Sequence, residues 1–316
     1  MAESSEKTDE SSSINLQQLY RLFDKDKLNI ISFLQYMKLL SQRYSCPVCN
    51  DDMSLVKRAQ VSDGYEWQCT KRRRRGPAEE KHRVTRSLRK GTWFSQSKLT
   101  LEEITLLMYF WVQELPQKFV MEETKMSCGT VCDWYSFCRE VCDVILAQKD
   151  IKIGGKRHIV EIDEAPFTKR QYHKGKRSIQ KWVFGGIDRE TGACFLHPVE
   201  SRSALTLLSI VQERILPGTT IYSSCWKQYG CLSHEGFKKL TEDQCITFKD
   251  KETCSQTSTI EGLWELVKDR MLPKNRRPHF DSYLCEFMYR RSRGENDRFK
   301  KFMQDIAAVY PPPTHD

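Results

Sequence analysis

Carboxylates at the end of an apolar strand are the first sign of chemistry in this chain. In "HIVEIDEAPF" (His158–Phe167) the β-branched residues Ile159, Val160 and Ile162 lead straight to Glu161, Asp163 and Glu164. Acids this close repel one another unless something positive joins them, and a divalent metal is the usual answer. On a strand Glu161 and Asp163 share one face, and Glu164 points to the other. The plainer alternative is that the acids simply begin a loop.

A second grouping is built on sulfur. Cys46-Pro-Val-Cys49 is a CxxC knuckle, and Cys69 in "EWQC" offers a third thiolate. A structural zinc ion takes four ligands, usually from two knuckles. Where the second knuckle would stand the chain has Arg72, Arg73, Arg74 and Arg75, which leaves His82 as the nearest fourth ligand. The alternative is a degenerate knuckle that folds on packing alone. Cys128, Cys132, Cys138 and Cys142 fall within one arc of a single helix. Four thiols on one helix cannot surround a metal without strain, so they read as small buried hydrophobes.

Charge adds a third feature. The chain has 316 residues and a formal charge of +9, and "TKRRRRGPAEEKHRVTRSLRK" (Thr70–Lys90) concentrates much of the basic excess. Arg72, Arg73, Arg74, Arg75, Arg83 and Arg86 are therefore expected to contact DNA phosphates. A solvated basic loop or a nuclear-import signal would use the same residues. Thirteen cysteines behind an N-terminus with neither a basic start nor an apolar core point to a reducing compartment, the nucleus first and the cytosol second. No apolar run approaches the ~20 residues of a membrane span, so no membrane partner is expected.

The elements that must position these groups follow from periodicity. Residues 1–13 read as a disordered tail and 14–43 as two short helices. Residues 44–94 read as a Cys-containing, zinc-ribbon-like module with the basic run. In 95–150, Thr100 and Glu103 form a capping box, and a short helix, a break and a long helix follow, as in a helix-turn-helix unit. From 155 to 312 the pattern becomes "HIVEID", "KWVFGGID" and "CFLHPV" as strands, then a helix, "TTIYSS", a short helix near Trp226–Leu232, "CITF" as a fifth strand, and two helical stretches. The fold class read from this order is α/β with a ribonuclease-H-like core.

At this point the chain resembles a known family. "EIDE", "WVFGGIDRETG", "ILPGTTI", "TIEGLWELVK" and "YLCEFMYRR" occur in order with "CPVC", "GTWF" and "WYSFCREVC" upstream. Together they look like the Merlin superfamily of DDE transposases, relatives of bacterial ISXO-type insertion-sequence enzymes. The resemblance implies three acids holding two Mg²⁺ ions that activate water or a DNA 3′-hydroxyl, with the metals about 3.5–4 Å apart. It makes Asp163 the first acid and Glu261 the third.

The second acid is replaced. Where the family reads Ser-Asp-x-Trp, this chain has Ser223-Ser224-Cys225-Trp226, so Ser224 stands at the position of the Asp. A hydroxyl does not bridge two metals as a carboxylate does. The family's His-Thr-Asn also becomes Gln256-Thr257-Ser258. Asp188 is the nearest substitute by type, but Asp is ordinary in a turn such as "DRETG". Three readings follow: a transposase-derived DNA-binding protein with a lost nuclease centre, an active DDE transposase, or a protein-interaction scaffold. DNA is the expected partner of the first two, with a homodimer left open. Zinc, and an ancestral Mg²⁺ held weakly or not at all, are the expected metals.

Overall fold

A computed structural model of the protein describes residues 14–24, 26–70, 72–75, 78–167, 181–223, 238–241, 259–271, 280–294 and 296–313, with 72–75, 78–81 and 238–241 as backbone only. The expected tail 1–13 lies outside these residues. Two compact units divide the chain: Met1–Val141 with Glu295–Asp316, and Cys142–Gly294. The transposase-like segment is read from sequence as residues 155–312, and the second compact unit ends at Gly294.

The second unit is organised by β7 (Ile159–Pro166), the strand that carries the acids. It lies between β8 (Trp182–Asp188) and β11 (Thr220–Ser223) in a five-stranded sheet. β9 (Cys194–Val199) closes the β8 side, and β12 (Lys238–Thr241) closes the other. β7, β8 and β9 run antiparallel, whereas β11 is parallel to both β7 and β12. Three antiparallel strands followed by parallel additions at the first strand's free edge make a ribonuclease-H-like sheet. The fifth strand is therefore 238–241; the "CITF" segment expected there lies outside the described residues, as does the short helix near Trp226–Leu232.

Strand alternation sorts the two faces of this sheet. Val160 and Ile162 point into a core completed by Phe184, Phe195 and the helix α6 (Ala204–Arg214), through Leu207, Ile210 and Val211. On the other face Ala165, Val183 and Leu196 meet α7 (Thr259–Met271) and α8 (Phe280–Arg293) through Ile260, Leu263, Trp264, Phe280 and Leu284. Both faces are covered, which is why the strands read as nearly continuous apolar runs. β6 (Ile153–Gly154) and β10 (Ile215–Leu216) add a short parallel pair.

The first unit combines helices with a small sheet. α1 (Leu16–Phe23) and α2 (Leu28–Tyr36) precede an antiparallel sheet of β1 (Ser54–Lys57), β2 (Tyr65–Cys69) and β5 (Val84–Ser87). Between β2 and β5 the basic run forms a hairpin of its own, β3 (Arg72–Arg75) with β4 (Ala78–Lys81). α3 (Leu101–Val112) carries the expected Thr100–Glu103 capping box. α4 (Gln117–Thr124) ends on Lys125 in the left-handed region, and α5 (Cys128–Lys149) follows. The chain beyond Phe280 is two helices, α8 and α9 (Arg298–Val309), broken at Gly294 and Asp297, both at positive φ. α9 joins the first unit's core: Phe302 packs 4.7 Å from Trp111 and Phe299 5.3 Å from Tyr109, centroid to centroid.

Candidate functional site

The acids on β7 are each met by a donor of the protein's own. Glu161 is buried, and its Oε1 accepts from Arg189 Nε at 2.5 Å. Its Oε2 accepts from the backbone N–H of Ile260 at 2.9 Å, in the first turn of α7. A carboxylate at a helix N-terminus satisfies one of the amides that have no partner within the helix. Arg189 is held in turn over the ring of Tyr222, the residue opposite Glu161 on β11. Asp163 Oδ2 accepts from the indole Nε1 of Trp264 at 3.1 Å. Glu164, on the opposite face, pairs with Arg202.

One of these contacts depends on a missing side chain. Asp163 pairs across the sheet with Gly185, and a Cβ at Gly185 would lie 2.7 Å from the Trp264 ring. The glycine in "FGGID" thus opens the space in which the indole reaches Asp163. Trp264 was visible in the sequence only as an apolar position of a helix; its role as donor to Asp163 had no local signal.

Glu261 follows Ile260 in the chain, so β7 and the first turn of α7 bring Asp163 and Glu261 to adjacent elements. Yet among the described residues no set of three metal-ligating side chains within 4.8 Å includes either of them. Ser224 lies outside the described residues. Asp188 sits three positions along β8 from Gly185, about 10 Å away at strand spacing. Its carboxylate is fully used in its turn: Oδ1 accepts from the N–H groups of Glu190 (2.9 Å) and Thr191 (3.4 Å), and Oδ2 from Gly154 (3.3 Å) and the His158 ring (2.8 Å). Burial pushes this carboxyl up, but the hydrogen bonds from Glu190, His158 and Thr191 outweigh it and hold it at about 2.

The sulfur cluster has the opposite character. Ligand atoms of Cys46, Cys49, Cys69 and His82 all lie within 4.8 Å of one another. His82 Nε2 is 3.3 Å from both Cys46 Sγ and Cys69 Sγ, and Cys49 Sγ is 3.6 Å from Cys69 Sγ. Tetrahedral zinc bonds of roughly 2.0–2.3 Å put neighbouring ligands about 3.5–3.8 Å apart. The donor set and spacing fit zinc. Burial disfavours the Cys46 thiolate, but hydrogen bonds from the Cys49 and Val48 backbone, the Cys49 thiol and His82 lower it to about 6. The ring's other nitrogen, Nδ1, is buried without a partner.

The register of the small sheet explains how His82 arrives. Cys69 pairs with Val84, so the chain leaves after one ligand, forms the β3–β4 hairpin, and returns just after the other. In that hairpin Arg73 stands opposite Glu80 and Arg74 opposite Glu79. The other two basic candidates lie on the way into β5. Arg83 Nε donates to the Gln68 amide oxygen at 3.0 Å once that amide is correctly oriented, and Arg86 donates to its neighbour's carbonyl, Thr85 O. Of the helical thiols, Cys138 and Cys142 are buried as expected, but Cys128 is exposed. It occupies the first residue of α5, where the helix has not yet entered the core.

Residues 153–292 match the ISXO2-like transposase domain. This segment is thus similar to the ISXO2-like transposase domain. No curated protein matches the chain in sequence. The HTLV-2 integrase catalytic core domain in complex with magnesium (dimeric form) aligns at 13% identity over 42% of this chain and 84% of its own, with a TM-score of 0.26. The catalytic core domain of BIV integrase aligns at 12% identity over 48% and 98%, with a TM-score of 0.30. The ribonuclease-H-like assignment rests on the strand order, not on these scores. Among the described residues no helix is long and apolar enough to cross a membrane.

Proposed function

We propose that the chain is a transposase-derived DNA-binding protein whose nuclease centre has been lost. The observation that carries this reading is the state of the acids in the transposase domain. Ser224 stands where the family places its second Asp. Glu161 serves Arg189 and the α7 N-terminus, and the indole of Trp264 donates to Asp163. Two metals need several carboxylate oxygens turned toward one point. The residues present do not fit that pair of ions.

DNA contact falls to the β3–β4 hairpin, a two-stranded ribbon of the kind a DNA groove accepts. The same run serves as a nuclear-import signal. The Cys46, Cys49, Cys69 and His82 set would hold zinc as a structural cross-link at the base of this hairpin, supplying no chemistry of its own.

An electrophoretic shift and nicking assay on duplex DNA tests the reading. The purified protein should shift DNA and leave it uncut in Mg²⁺ or Mn²⁺. Replacing Arg72, Arg73, Arg74 and Arg75 by Gln should weaken binding to all sequences and flatten its salt dependence, by about one unit of slope per lost phosphate contact. Metal-dependent nicking by the unmodified protein, abolished by Asp163→Ala, would restore the active-transposase reading. Nicking only by Ser224→Asp would locate the loss at that residue. An unchanged salt slope would move DNA contact away from the hairpin.

A further inference from the structure

The first unit holds a cleft of about 580 Å³ that neither the acids nor the sulfur cluster uses. It lies between the segment after β5 and the first part of α5, with Tyr310 beyond α9 completing the wall. Its apolar lining is aromatic. The ring of Trp93 is 5.1 Å from that of Trp134 at 83°, and the ring of Phe137 is 5.6 Å from Trp134 at 89°. Each of the two therefore meets Trp134 edge to face. Phe137 keeps 43% of its surface exposed, while Trp134 is buried beneath it.

Acids outnumber bases among the charged lining residues. Asp133 and Glu140 face the cleft with Lys98 as the one cation among the lining residues. Asp133, Phe137 and Glu140 fall at i, i+4 and i+7 on α5, so one helix face carries acid, aromatic and acid in line. Tyr310 donates its hydroxyl to Glu140 Oε1 at 2.9 Å. Burial, reinforced by the Glu140 carboxylate, pushes that hydroxyl up to about 12. It thus remains a neutral donor.

Ring faces and carboxylates are both negative, and together they attract a cation and repel a phosphate backbone. The shape narrows the choice of cation. A planar guanidinium needs a broad open ring face to stack on, which buried Trp134 and half-buried Trp93 do not offer, whereas a compact ammonium needs only partial ring exposure beside carboxylates. We propose that this cleft binds the lysine ammonium of a basic peptide, seated against Trp93 and Phe137 and flanked by Asp133 and Glu140. Methylated lysine binds more tightly, because methyl groups weaken the hydration that must be shed. This site is separate from the DNA-contacting hairpin and does not depend on it.

Titration calorimetry on the full chain tests the assignment with one basic peptide carrying, in turn, trimethyllysine, lysine, arginine or the neutral tert-butyl isostere of trimethyllysine. The trimethyllysine peptide should bind saturably, ahead of lysine, and the neutral isostere about tenfold more weakly. Phe137→Leu keeps the apolar bulk and removes the ring, and Asp133→Asn removes one charge; each should weaken binding about three- to tenfold. Both positions are exposed, and an unchanged melting curve confirms that the fold is intact. Choline alone should bind more weakly than the peptide. Equal affinity for the neutral isostere would reduce the cleft to an apolar groove. Preference for arginine, tighter binding of free choline, or no saturable binding by any peptide would each overturn the proposal.

Discussion

In the knuckle three sulfurs and an imidazole nitrogen face one another within 4.8 Å, whereas on β7 each carboxylate faces a donor supplied by the protein. Glu161 has Arg189 and an amide, Asp163 has an indole, and Glu164 has Arg202. Electron-rich ligands that converge on one point are stable only if a cation joins them from outside. Acids already answered by arginine, indole and backbone need no such ion. The contrast is between ligands that face one another and acids that each face a donor of the protein's own.

The sharpest way to break this contrast is to remove the metal that the knuckle is arranged to hold. The purified protein should contain one zinc per chain, and Cys46→Ser should lose it together with the fold around β1, β2 and β5. Binding of structural zinc contributes about 10–16 kcal/mol in small modules, so the loss should unfold the region outright. Elemental analysis alongside thermal melting with and without chelator reads both effects. Metal-free protein that melts at the same temperature would place the knuckle beside β7, as a site satisfied from within.

Next in size is Arg189→Met, which leaves the Glu161 carboxylate buried and unpaired. Breaking such a pair from one side costs about 3 kcal/mol, readable as a lower urea midpoint. Pairing it with Glu161→Gln should recover part of the loss, because the amide oxygen still accepts from Ile260. If Arg189→Met costs nothing, Glu161 is not held by arginine and the acid is open to other partners.

Acid titration gives an intermediate effect. The folded carboxyl of Asp188, at about 2, lies below its unfolded value near 3.9. Its contribution is therefore fully present above pH ~4 and is lost as pH falls through 2, at most about 2–3 kcal/mol. Asp188→Asn should remove it at neutral pH and flatten the stability profile between pH ~4 and 2. A profile unchanged by the substitution would mean that the turn does not rely on the charge.

Trp264→Phe should have the smallest effect, about 1 kcal/mol for the lost indole hydrogen bond. Its value lies in the comparison. With that donor gone, calorimetry with Mn²⁺ should register weak binding that the unmodified protein lacks. Equal Mn²⁺ binding in both would show that the indole does not occupy the acid.

Some of this was legible residue by residue. The capping box at Thr100 and Glu103 is an i, i+3 arrangement, and it stands at the start of α3 because nothing distant can change that spacing. The alternation in "HIVEID" placed Val160 and Ile162 on one face and Glu161 and Asp163 on the other, since a strand's period is fixed. The edge strand was less legible. Lys238–Thr241 has little β-propensity, and it is a strand because β11 offers it a parallel edge. "CITF", which carried the stronger local pattern, lies outside the described residues.

By itself the sequence determined which residue types were available: a CxxC knuckle, three acids closing a strand, Ser224 in place of an acid, and a run of four arginines. Only the tertiary structure decided what each faces. The pairing of Cys69 with Val84 brings His82 back to the thiols across a hairpin no spacing rule anticipates. The bare Cα of Gly185 admits Trp264 to Asp163. A side chain's type is local, but its partner is set by strand register and by the space neighbouring elements leave, and both are properties of the folded whole.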